Sequence, residues 1–103
     1  MDIKKLYIDI KEVFGDEIIV TASERFRGSQ NDRIPKAYFQ ATSAKERDFM
    51  IVVEGSGNAD ILTSGRAVVE FPQGAYLENR SFIYKGKRMN EVVLSAPELR
   101  LKK

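Results

Sequence analysis

The chain of 103 residues has no cysteine and no histidine. Without cysteine there are no disulfides and no thiolate metal ligands, which fits a reducing cytoplasm, the expected location. Without histidine there is no Ser-His or Cys-His couple, no zinc finger and no imidazole base, so only carboxylates, lysines and hydroxyls remain for chemistry. A non-enzymatic protein with no cofactor and no metal is the expectation. No segment approaches the roughly 20 apolar residues of a membrane-spanning helix, so no membrane partner is expected. The first ten residues alternate polar and apolar and lack the apolar core of a signal peptide.

At this length a single domain spanning 1–103 is expected. Its net charge of +2 is unevenly spread. Residues 80–103 carry seven basic and two acidic side chains, net +5, against ten basic and thirteen acidic in the remainder, net −3. A basic end on a mildly acidic body suits a polyanion, with phosphate backbone the commonest candidate; the plainer reading is an exposed turn and a solubilising basic tail over about 96–103.

The pattern is that of strands. Leu6, Ile8 and Ile10 alternate with Tyr7, Asp9 and Lys11 as one strand, Val13-Phe14-Gly15 reads as a turn, and Ile18–Thr21 as a second strand. In a third, from Ala37 to Thr42, Ala37, Phe39 and Ala41 share one face and Tyr38, Gln40 and Thr42 the other. Ser43 and Glu46 have capping-box spacing, for one helical turn or a wide turn. Phe49–Glu54 is apolar enough for a strand covered on both faces. Arg66–Phe71 is a further strand ended by Pro72, and Ala75–Leu77 a short one. Ser95-Ala96-Pro97-Glu98 reads either as a helix start or, with Leu99-Arg100-Leu101, as a strand or loose tail. The glycine-rich Gly55–Asn58 lacks the lysine and hydroxyl residue that must follow in a phosphate-binding loop, and reads as a plain connection.

The stretch from Arg80 to Ser95 reads as an antiparallel hairpin around Lys85-Gly86-Lys87. With Lys85-Gly86 as the two turn residues, Tyr84 faces Lys87, Phe82 faces Met89 and Arg80 faces Glu91; a shift of one residue would reverse the faces. Arg80, Lys85, Lys87 and Arg88 are candidate phosphate contacts, and Phe82 and Tyr84 are candidates either for stacking on bases or for the core. Arg25 and Arg27, flanking Phe26 before a loop-like run, are a second candidate contact: a clamp on a nucleic-acid backbone or an ordinary hairpin end. Short strands separated by turns make an all-β domain, with a small OB-like barrel the first expectation and an SH3-like one the second, because closure hides strand edges.

Several stretches in order carry a further signal: Val13-Phe14-Gly15; Ala37-Tyr38-Phe39 with Ile51-Val52-Val53; Val69-Glu70-Phe71-Pro72; and Tyr84-Lys85-Gly86-Lys87-Arg88 followed by Asn90, Val92-Val93-Leu94 and Ala96. In these the chain resembles a family of short proteins of unknown domain function from Gram-positive integrative and conjugative elements, the HelP helicase-processivity type. It departs from that pattern over 23–36 and 55–63. The resemblance implies DNA replication or conjugative transfer, contact with single-stranded DNA, and a host helicase or another replication or conjugation protein as partner. The rival expectation is a protein-interaction module that uses a strand edge and touches no nucleic acid.

Overall fold

The structure, a computed structural model, describes residues 6–7, 9–26, 36–54 and 66–102, with side chains described over 9–23, 36–54 and 66–102. Strands dominate: β1 (Leu6–Tyr7), β2 (Ile18–Phe26), β3 (Lys36–Ser43), β4 (Phe49–Glu54), β5 (Ala67–Glu70), β6 (Tyr76–Tyr84), β7 (Lys87–Ala96) and β8 (Arg100–Leu101), with one short helix, α1 (Ile10–Phe14). All eight strands join one sheet in the order β1-β6-β7-β4-β3-β2-β5-β8. All pairings are antiparallel except β4 with β7, where Ile51, Val52 and Val53 run parallel to Leu94, Ser95 and Ala96.

The all-β class is as expected, but the barrel, OB-like or SH3-like, does not close. The sheet ends at β1 and β8, which do not pair with each other among the described residues. The two end strands are short, but β1 pairs only with Tyr76 and Leu77, so the rest of β6 is an open edge among the described residues.

The sheet buries apolar side chains on both faces. On one, Ile18, Val20, Ala37, Phe39, Ala41, Ile51, Val53, Val69 and Leu94 form the larger core. Helix α1 covers part of it: the Phe14 and Phe49 rings lie 4.5 Å apart. The alternation of Ala37, Phe39 and Ala41 puts them here as expected, and β4 is buried on both faces. On the opposite face Tyr38, Met50, Val52, Phe82, Tyr84 and Val93 make a second core, with Met89 packed against it.

Three local readings are corrected. The expected first strand stops at Tyr7, because Asp9 caps α1 by accepting from the Glu12 amide (3.2 Å) and Gly15 ends it at φ 95°. Val13 and Phe14 are the end of α1, with Gly15 its cap, rather than a turn of their own. Of the readings open for the tail, the strand is found: Leu99 is buried, Arg100 and Leu101 pair with Glu70 and Val69, and the Lys102 amide donates to the Val68 carbonyl (2.9 Å). Ala75–Leu77 is no separate strand, since β6 runs unbroken from Tyr76 into the hairpin. Of the two readings at Ser43, the turn is found; its hydroxyl accepts from the Glu46 amide (3.1 Å) with no helix following. The Gly55–Asn58 connection lies outside the described residues.

Candidate functional site

The hairpin forms with the register expected for a Lys85-Gly86 turn: Tyr84 pairs with Lys87, Phe82 with Met89 and Arg80 with Glu91. Lys85 and Gly86 take positive φ, 50° and 81°. Positive φ at both central residues marks a type I′ turn, whose twist matches that of the flanking strands. Glycine adopts this freely; Lys85 does so against its Cβ.

Alternation along β6 and β7 then sorts the candidate residues. Phe82 and Tyr84 are each only 7% exposed, on the face of the second core. The Phe82 ring stacks on Tyr38, with centroids 5.0 Å apart and planes 9° from parallel. Of the two roles open to them, the structure gives these rings the core, so neither presents an open face to a base. They hold the ribbon down instead.

Arg80 shares that face, where its guanidinium is committed. It donates to Glu54 Oε1 (2.5 Å) and lies 3.5 Å from Glu78 Oε2, with its side chain 20% exposed. Burial alone would lower its pKa, but the bond to Glu54 and the fields of Glu78 and Glu54 outweigh that and the net direction is up. Ser95, buried beneath, donates from Oγ to Glu78 Oε2. Glu54, Arg80 and Ser95 of this cluster line a cleft of about 280 Å³ together with Val52, Gln73 and Tyr76. Arg80 is thus a structural ion-pair residue rather than an open phosphate contact.

The outer end of the hairpin differs. Lys85, Lys87 and Arg88 are all exposed. Lys85 Nζ sits 5.6 Å from the Tyr84 ring centroid, an electrostatically favourable position over the π-face. Among the described residues neither Lys87 nor Arg88 has an ion-pair partner. They are adjacent in sequence, so they point to opposite faces and the tip offers cations on both sides. Arg25 is placed in β2 opposite Ala37, but its side chain, and the whole of Arg27, lie outside the described residues.

Two features were missed by sequence reasoning. One is the Glu54–Arg80–Glu78–Ser95 cluster, whose members come from three strands and carry no local signal. The other is the exposure of Ile83 and Val92, 65% and 54%; alternation puts both on the face opposite Phe82 and Tyr84 but does not say that this face is left uncovered. Among the described residues no group of three or more acidic side chains could hold a metal ion, and no helix is long and apolar enough to cross a membrane. Comparison with protein-family models, with curated proteins and with solved structures finds no match to this chain.

Proposed function

We propose that this is a non-enzymatic protein that binds single-stranded nucleic acid through the backbone, in the manner of a helicase accessory factor in DNA replication or conjugative transfer. The supporting observation is the hairpin tip, where exposed Lys87 and Arg88 have no ion-pair partner among the described residues and are held on a turn anchored by buried Phe82 and Tyr84. Unpaired cations on a rigid projection suit phosphates, because neutralising each phosphate releases counterions without first breaking an internal salt bridge. The mode is sequence-independent, since the tip brings charge and no free aromatic face. The helicase, and the mobile-element setting, rest on the family resemblance alone.

The test is anisotropy of a labelled single strand and its duplex over a salt series. Binding of the single strand should weaken with a log–log slope of about −0.7 per phosphate contacted. Lys87→Ala with Arg88→Ala should flatten that slope by one to two contacts' worth and leave stability within about 0.5 kcal/mol, because both side chains are exposed. A parent protein with no salt-dependent binding would refute the proposal. The second reading, a protein-interaction module, would then lead, and the exposed Ile83 and Val92 favour it as the apolar part of a docking face.

A further inference from the structure

The hairpin tip overhangs the turn between β3 and β4, and a cleft of about 380 Å³ lies between them. That is within the range of small-molecule sites, roughly 300–1,000 Å³, and larger than the 280 Å³ cleft at Arg80, whose polar groups already bond one another. Its floor is apolar and polarizable: Met50, buried in the second core, half-buried Met89, and the small accessible part of Tyr84. Thioethers pack favourably on aromatic rings and adapt to their shape. Its rim carries Lys85 and Lys87. Its polar wall is Gln40, Asp48 and Glu91, a set rich in hydrogen-bond acceptors.

The lining carries both signs: the carboxylates of Asp48 and Glu91 repel phosphate, while Lys85 and Lys87 attract it. A strand laid along the tip would therefore keep its backbone on Lys85 and Lys87 and turn one base inward. Acceptors on the wall can bond an exocyclic amino group, which adenine, cytosine and guanine have and thymine and uracil lack.

We propose that the cleft between the hairpin tip and the β3–β4 turn receives one unpaired, amino-bearing base of a single strand, seated on Met50 and Met89. This rests on the tip being a backbone contact, and it adds a base preference that the tip alone would not have.

The experiment uses the full chain with methyl-¹³C methionine, the Met50 and Met89 signals being assigned with Met50→Leu and Met89→Leu. It is titrated with equal-length adenine, cytosine and thymine homo-oligomers and with a fully abasic strand. Both methyl signals should move upfield by ring current with the adenine and cytosine strands, less with thymine, and stay in place with the abasic strand. The adenine and cytosine strands should bind roughly five- to a hundred-fold more tightly than the abasic one, the range expected for one stacked base. Asp48→Asn with Glu91→Gln, both at solvent-accessible positions, should shrink the preference over thymine while leaving the salt slope unchanged or steeper. If all four strands bind alike with both methyl signals unmoved, while Lys87→Ala with Arg88→Ala still weakens binding, the cleft proposal is overturned and the tip reading stands. If no strand binds at low salt, both fall together.

Discussion

Tyr38 on β3 and Phe82 on β6 stack ring on ring, 5.0 Å between centroids, although β4 and β7 lie between their strands in the sheet. Three strand spacings on a flat sheet would separate them by about 14 Å. The sheet must therefore curl until the hairpin lies back over β3 and β4, and this stack closes the curl. Phe82→Ala should cost about 3–5 kcal/mol, as large-to-small core changes do, read as a lower denaturant midpoint. A double-mutant cycle with Tyr38→Leu should return a coupling of about 0.5–1.5 kcal/mol. A midpoint unchanged in Phe82→Ala would mean that the hairpin is not pinned this way.

Arg80 bridges carboxylates on two strands, Glu54 on β4 and Glu78 on β6. Arg80→Ala should destabilise by about 1–3 kcal/mol, because it leaves the Glu78 carboxylate half-buried without its cation. Arg80→Lys should recover only part, lacking the planar fork that reaches two carboxylates at once. With its pKa raised on folding, the contribution of Arg80 is present below the unfolded pKa and lost only as pH rises through the folded one. Across roughly pH 5 to 9 the Arg80→Ala deficit traceable to the guanidinium's own titration should therefore stay constant in parallel unfolding curves.

Lys85 occupies the first central position of the type I′ turn at φ 50°, where asparagine is at ease and lysine is not. Lys85→Asn should raise stability by roughly 0.5–1 kcal/mol, and Lys85→Val should lower it by more than that. Thermal unfolding of the two variants decides it: equal melting temperatures would show that the turn carries no strain.

The last strand is stitched by the Lys102 amide to Val68 and by Leu99 in the larger core. Hydrogen exchange should find the Lys102 amide protected, and Leu99→Ala should remove that protection while costing about 2–5 kcal/mol globally. An amide that exchanges at the free-chain rate in the parent would show the tail to be loose after all.

What the sequence determined by itself was local and periodic. Gly86 between two β-rich runs marked the turn, because glycine takes positive φ without cost, while the choice of Lys85-Gly86 as its centre, which sets the faces, was one register among those allowed. The unbroken apolar run of β4 announced burial on both faces, and Ala37, Phe39 and Ala41 announced one side of β3. The short helix was legible too, in Asp9 three residues before Glu12 and Gly15 just past its end, but the alternation of Leu6, Ile8 and Ile10 favoured the wrong period. Tertiary structure decided the rest. Alternation says which side chains share a face and not which face will be covered. Phe82, Tyr84 and Arg80 became core and ion pair only because the sheet curls their face onto β3 and β4, and that curl depends on a parallel contact between β4 and β7, about forty residues apart in the chain. Lys87 and Arg88, at the end of the hairpin, were left exposed to solvent, and so the charge available for a partner was set by topology rather than by the count of basic residues.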